Sequence, residues 1–533
     1  KPQCSASPAD LLPPVAALMP RLPVGRATTG RIFGGVGRRG AGPAQGARVL
    51  LEEAERFRTL GWSCDEERSL IRAIAQADAE ASISPSLARV SADARLRLAL
   101  LLCQQGKSRD ADSILAGLGY HARLSDMALT YRKSGASELT AKEEHEEVAQ
   151  QQAQKRVFAM DGAVPSEVLR RLRVALEAPS APFWAEHLYP EVDFFSYLFD
   201  LKSSPTNLVE ELILHLKPLV VQRFPEVAQA HSAEWWMHNK GSEQWRGHGL
   251  HYDCNEHAST ASPPGNGVAY PAVSAVVYLS EPPPSSGAAG PTLVLDQSLG
   301  GPAAPEGYLV APRRGRMLLF DGRLLHGVLP GIACSVDTVG KSGSPAESTT
   351  LLATRSSEHG HGVGHHVHDL RRLTLMVGWW TEPVERRPGP EAAGGRAVLE
   401  SNMTVPASGD TSWSWPSTLR PMGAAAHGAT ASSRAPVPVP VPMSRVRPAW
   451  QAVTAAEEVC HYSGIVAPPC PLVQQGAPFF AMGGVFLRDA GEADREALRR
   501  LQWARGLLPT AAAVDCTAIA TSAVAHGACA EEK

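Results

Sequence analysis

Between residues 225 and 383 the chain is a succession of short apolar or alternating runs. They read AEWWMHNK, GLHYD, AVSAVVYLSE, PTLVLDQ, GYLVAP, GRMLLFDG, LLHGVLP and RRLTLMVGWW, and Gly or Pro interrupts them. Runs of this length and period, bounded by turn residues, predict about eight strands. Upstream the period changes. ARVLLEEAERFRTL places Val49, Leu50, Ala54, Phe57 and Leu60 at helical spacing. SADARLRLALLLCQQGKSRDADSILAGLGYH predicts a helix, a turn at Gln105-Gly106-Lys107, and a second helix opened by Ser108. PSEVLRRLRVALEA and NLVEELILHLKPLVVQRF are two more amphipathic helices, with the aromatic-rich FWAEHLYPEVDFFSYLF between them. Helices followed by a run of strands predict an α+β sheet sandwich with helical support rather than an alternating parallel fold.

This pattern divides the chain into six parts. Residues 1–46 carry no helix or strand period and read as a disordered or transit-like segment; 11–48 contain Arg, Ala, Gly and Pro but no acid. The chain opens at Lys1 rather than Met, which suggests that a true N-terminus lies upstream. Residues 47–135 are α-helical, and Leu98, Ala99, Gly106 and Ala111 fall where a tetratricopeptide-type hairpin places small and apolar residues. One or two such units are fewer than a solenoid needs, so a plain helical accessory region fits equally. Residues 136–159 form a charged connecting helix, and 160–383 hold the strands. Residues 384–445, with RAPVPVPVP, read as a Pro/Ala/Ser-rich linker. Residues 446–533 offer one strand in GAPFFAMGGVFLRD and one helix in EADREALRRLQWA, the strand being a candidate to return to the sandwich.

Composition narrows the classes. Net charge is −3, so no global basic field invites nucleic acid. Nine cysteines without a Cys-x-x-Cys pair argue for a reducing compartment, not a disulfide scaffold. No apolar run reaches bilayer length, so a soluble intracellular protein of cytoplasm or nucleus is expected, with no membrane partner. The acid-poor N-terminal stretch leaves organellar import open.

The candidate chemistry lies in RGHGLHYDCNE, residues 246–256. A His-x-Asp tripeptide arises about once by chance in a chain of this kind, so His251 and Asp253 decide nothing alone. On a strand, residues i and i+2 point the same way, so both side chains would enter one cavity and Tyr252 would point away. Two imidazoles and one carboxylate on one face of a redox metal leave the opposite face open to ligands. The third ligand has to come from elsewhere in the chain.

As an ordered set, His251-x-Asp253, the strands that follow, His326 in LLHGVLP and the Arg372-Leu373-Thr374 of RRLTL resemble the iron(II)/2-oxoglutarate-dependent dioxygenases, within the group that includes prolyl 4-hydroxylase-like domains. The resemblance covers roughly 225–383 and implies a double-stranded β-helix, or jelly roll. It implies that His251, Asp253 and His326 are the catalytic iron ligands, and that Arg372 and Thr374 bind the far carboxylate of 2-oxoglutarate. It further implies iron(II), 2-oxoglutarate and O2 as reactants, succinate and CO2 as co-products, and leaves room for ascorbate.

Arg371 is one residue off, so strand alternation would point it out of the barrel. A long insertion separates His326 from Arg372, and Lys341 within it is a second candidate for the basic role, in a turn-like VGKSGS context. The five histidines of HGHGVGHHVH (359–368) sit among glycines and read as a solvated loop, with opportunistic metal binding as the alternative. Cys254 and His257 could join Asp253 in a zinc site but lack a completing pair. Trp235, Trp236, Trp379 and Trp380 could line a cleft, though such pairs more commonly place one ring in the core. The helical region favours a protein or peptide substrate over a small molecule. A different class stays open: a helical-repeat interaction protein whose β domain is inactive, or a cupin-type metal domain independent of 2-oxoglutarate.

Overall fold

The computed structural model describes residues 43–79, 85–131, 156–189, 194–240, 247–255, 269–280, 290–298, 304–332, 372–388, 391–393, 396–398, 401–407, 412–422, 437–454, 480–481 and 485–488. The helical region opens with α1 (Pro43–Leu60), α2 (Ser63–Asp78), α3 (Pro85–Gln105) and α4 (Ser108–Gly117). Gly106 sits at φ +82 between α3 and α4, a left-handed conformation that glycine adopts without a Cβ clash, so the turn falls where the sequence predicts it. Leu98 and Ala99 of α3 and Ala111 of α4 are fully buried, whereas Val49 of α1 is exposed.

The region is not all-α. After α4 comes β1 (Tyr120–Leu124), then the short α5 (Asp126–Leu129), capped by the Ser125 hydroxyl accepting from the Ala128 N–H. β1 pairs antiparallel with β16 (Trp450–Ala452) and with β18 (Phe486–Arg488), and β17 (Phe480–Ala481) completes this small sheet. A hairpin followed by a strand gives no support to a tetratricopeptide array. The strand predicted in 476–489 therefore belongs to a sheet beside the helices and does not return to the sandwich.

Two larger antiparallel sheets carry the rest. The first orders β14 (Val439–Pro440), β2 (Val157–Asp161), β9 (Met317–Asp321), β6 (Val273–Tyr278), β11 (Arg372–Trp380), β4 (Ser232–Lys240) and β3 (Tyr197–Asp200). The second orders β15 (Ser444–Val446), β8 (Gly307–Val310), β7 (Thr292–Leu295), β10 (His326–Val328) and β5 (His248–His251). All eight predicted runs contain strands. Val157 and Phe158, expected at the end of a connecting helix, instead open β2, which moves the start of the sheet domain three residues earlier than 160.

Alternation along the strands separates three apolar layers. Trp236, Val276, Tyr278, Val294, Tyr308, Phe320 and Met376 fill the layer shared by the two large sheets. The opposite face of the first sheet, with Trp235, Val277, Leu375 and Trp379, packs under the helices Ser166–Leu176 and Leu208–Arg223. Asn207 caps the second helix, its side-chain oxygen accepting from the Val209 and Glu210 N–H groups. The opposite face of the second sheet, with Leu293, Leu295, Leu309 and Leu329, is continuous with the core of α1–α4. Trp235 and Trp236 thus point to opposite faces and both are buried.

The segment read as a linker, 384–445, is in part core. Met403, Trp413, Trp415 and Leu419 are buried with the aromatic cluster around Phe183, and β14 and β15 add edges to the two large sheets. Ala, Pro and Ser are its commonest residues, which hid the few large side chains that anchor it. The predicted helix near 491, the 359–368 histidines, Arg371, Lys341 and His257 lie outside the described residues. No helix among the described residues is long and apolar enough to cross a membrane.

Trp415 supplies the test of this correction. Trp415→Ala should lower unfolding free energy by about 3–5 kcal/mol in chemical denaturation, as removal of a buried aromatic does. A change within about 0.5 kcal/mol would be that of a solvated linker.

Candidate metal centre and pocket

Strand pairing brings the two histidines together. β5 and β10 run antiparallel with His251 directly opposite His326, and the ring centroids stand 4.3 Å apart. Gly247, at φ +72, lies just before β5; a Cβ there would collide with the Val328 carbonyl, so only glycine lets the strand start so close to β10. Asp253 is not on the strand, which ends at His251. Its direction is set by Ser274 of β6, whose hydroxyl donates to Asp253 Oδ2 at 2.7 Å. That leaves Oδ1 facing the rings, 3.7 Å from His251 Nε2 and 3.6 Å from His326 Nε2.

Hydrogen bonding also settles which ring nitrogen is free. His251 Nδ1 lies 2.7 Å from the Gly249 carbonyl and His326 Nδ1 lies 3.0 Å from the Leu324 carbonyl. A carbonyl only accepts, so Nδ1 carries a hydrogen in both rings, and in the neutral form of either ring Nε2 presents a lone pair. Burial pushes the His326 imidazole down to about 4, against the pull of the Asp253 charge, so it is neutral near pH 7. Its Nε2 is buried with no hydrogen-bond partner among the described residues.

Two lone pairs and a carboxylate oxygen, all within 4.8 Å of one another, form a donor set for a single cation. Ligand atoms about 2.1 Å from one ion stand roughly 3–3.5 Å apart, close to what is seen. The residues therefore fit a metal, and the backbone carbonyls behind the two rings and the serine behind the carboxylate orient the donors. Among the described residues this is the one group of three or more His, Cys, Asp or Glu side chains that converges in this way. Cys254 is half-buried and outside it.

A pocket of about 610 Å³, its open mouth included, adjoins the triad between the two large sheets. Arg372, Thr374 and Met376 of β11 line it on one face of the strand, while Leu373 and Leu375 point into the helix-covered core. Their cross-strand partners on β4 are Lys240, His238 and Trp236 in that register, and these line the pocket too. Arg372 is buried; Nη1 donates to the Gly290 carbonyl at 2.7 Å and Nη2 to Thr292 Oγ1 at 3.0 Å. The Tyr278 ring lies under its guanidinium, and the Tyr278 hydroxyl is 2.7 Å from Thr292 Oγ1. Burial lowers the Arg372 pKa from its ordinary value, with Tyr278 opposing, but a guanidinium stays charged at neutral pH.

The structure thus brings His251, Asp253 and His326 together, and His251, His326, Arg372 and Thr374 line the cavity beside that group. Sequence reasoning missed Ser274, Thr292, Tyr278, His238, Lys240 and Glu234. Burial, followed by neighbouring positive charge, pushes His238 down to about 3 and His248 to about 2. Glu234, on the pocket-side parity of β4, takes a hydrogen bond from Ser196 at 2.6 Å, and burial pushes it up to about 7, with Asp253 adding to the shift. Only the even-numbered parity of WWMHNK hinted that His238 and Lys240 share a face with Trp236.

No protein-family model matches the chain, and no curated protein matches it. Several solved structures align with part of it. A Pseudomonas putida prolyl-4-hydroxylase is 15% identical, covers 44% of this chain and 92% of its own, and has a TM-score of 0.24. HygX from Streptomyces hygroscopicus with nickel and 2-oxoglutarate bound is 16% identical, with 49% and 96% covered and a TM-score of 0.23. The non-heme alpha ketoglutarate dependent epimerase SnoN from nogalamycin biosynthesis is 12% identical, with 44% and 82% covered and a TM-score of 0.22. These scores are low, and the reading of the site rests on its own side chains.

Ser274→Ala removes the hydroxyl that turns Asp253 toward the rings. Iron(II) affinity, titrated anaerobically, should fall by about 10–100-fold with the fold intact, the usual effect of losing such a supporting bond. Unchanged affinity would mean that Asp253 is oriented by something else.

Proposed function

We propose that the chain is an iron(II)- and 2-oxoglutarate-dependent dioxygenase that hydroxylates a peptidyl residue, releasing succinate and CO2. The two large sheets would then be the two faces of a double-stranded β-helix. The observation that carries this reading is a two-nitrogen, one-carboxylate donor set whose two histidines line the same pocket as a buried arginine. His251, Asp253 and His326 would hold the ion, and a keto acid and oxygen would be its co-reactants.

When bound, iron(II) supplies the redox chemistry that couples oxidative decarboxylation of the keto acid to hydroxylation. The chain's own residues hold and orient. His251 and His326 would offer their Nε2 atoms as donors, and the Asp253 carboxylate would lower the net charge of the centre. Arg372 is a planar fork suited to the far carboxylate of 2-oxoglutarate, with the Thr374 hydroxyl beside it. Trp236, Val276 and Met376 present an apolar wall that limits water in the pocket. The preference for a protein or peptide substrate rests on the helical layer, which extends the surface beside the sheets beyond what a small molecule requires.

Anaerobic addition of iron(II) and 2-oxoglutarate should produce a visible charge-transfer band. Asp253→Ala should abolish it. Arg372→Ala should require roughly 10–100-fold more 2-oxoglutarate, the cost of losing a charged hydrogen-bond partner. A folded, iron-loaded wild type without a band would overturn the 2-oxoglutarate reading and favour a metal domain of another kind.

A further inference from the structure

Two helical-layer residues reach the segment that leaves the His326 strand. Gln104, at the end of α3, donates from Nε2 to the Pro330 carbonyl at 3.3 Å and to the Gly331 carbonyl at 3.2 Å. Tyr131 donates its hydroxyl to the same Pro330 carbonyl at 3.3 Å. The orientation of the Gln104 amide is fixed from behind. Its Oε1 accepts from Arg58 Nη2 at 2.7 Å, and a guanidinium cannot accept, so the NH2 must face the carbonyls. Arg58 in turn pairs through Nε with Glu66 at 3.0 Å. Arg58, Glu66 and Gln104 are all buried, so water does not compete for these contacts.

The same segment touches the pocket. Leu329 donates its N–H to the Pro291 carbonyl at 3.0 Å, and its own carbonyl fills the space where a Cβ on Gly290 would stand. The Gly290 carbonyl accepts from Arg372 Nη1, and Thr292, two residues on, accepts from Nη2. One continuous set of packed groups therefore runs from Gln104 and Tyr131 through Pro330, Leu329 and Gly290 to the guanidinium.

We propose that Gln104 and Tyr131 are positioning residues for Arg372: by holding Pro330 and Gly331 they press Leu329 against Gly290 and fix the carbonyl that orients the arginine. On this account the helical layer is part of the cosubstrate pocket and not a separable docking module. The role assigned to Arg372 rests on the function proposed above; the mechanical link from Gln104 and Tyr131 to Gly290 does not.

The test uses the full chain with Tyr131→Phe, Gln104→Met and their combination, and two readouts. The first is the dissociation constant for 2-oxoglutarate in the anaerobic iron complex, with iron affinity measured alongside. The second is amide hydrogen exchange in 290–295 and 328–332. Each single variant should weaken 2-oxoglutarate roughly 3–10-fold, as losing one or two neutral hydrogen bonds does, and leave iron affinity unchanged. Exchange should rise in both segments. Wild-type 2-oxoglutarate affinity in both variants, or exchange that rises only in 328–332, would overturn the proposal, since the arginine would then not feel the clamp. Should Gln104→Met fail to fold, Tyr131→Phe, which removes a single hydroxyl, still gives both readouts. If the wild type binds no 2-oxoglutarate, the proposed function falls, and exchange in 290–295 alone decides the link: a rise supports it and no change overturns it.

Discussion

A buried imidazole nitrogen with no hydrogen-bond partner among the described residues is the constraint on which this site turns. Leaving such a group unsatisfied costs about 1–3 kcal/mol, and His326 Nε2 is held in that state by strand pairing and by its Nδ1 contact with the Leu324 carbonyl. Asp253 Oδ1, at 3.6 Å, is too far for a hydrogen bond but well placed to share a cation. The second lone pair, on His251, arrives by the same backbone geometry on the neighbouring strand. An apolar core would not assemble three such donors by default. Their convergence is what a metal would relieve.

The sheets around this constraint have different tasks. The seven-stranded sheet supplies the wall from β4, β6 and β11, whose registers set Arg372 opposite Lys240 and Thr374 opposite both His238 and Tyr278. The five-stranded sheet supplies the two histidines and Thr292. Its far side is closed by α1–α4, so Leu329 is at once a residue of the helical core and the neighbour of the carbonyl that holds Arg372. Pocket and accessory region are therefore layers of one packing arrangement.

Much of this was legible in the sequence where signals are local. Period-2 runs marked the eight strands of 225–383, and Gly106 with Ser108 marked the α3–α4 turn. His251, Asp253, His326, Arg372 and Thr374 were named from a spaced pattern; the first three converge in the structure, and Arg372 and Thr374 line the pocket next to them. What depended on pairing partners far away in the chain was not legible. β1 looked like a helix end because its partners lie more than 300 residues downstream. Trp415 and Met403 were masked by the Pro- and Ser-rich composition around them. Ser274 was an unremarked polar residue in an apolar run until β6 was laid beside Asp253.

The most direct measurement of the account is the stoichiometry and affinity of iron(II) binding, made anaerobically on the full chain and on His251→Ala, Asp253→Ala and His326→Ala, each shown to be folded by its thermal transition. One ion per wild-type chain, lost or greatly weakened in all three variants, is the result that the converging donors predict. Wild-type binding that survives all three substitutions would place the metal elsewhere, with the histidines of 359–368 the first place to look. It would remove the basis for reading this pocket as a redox centre.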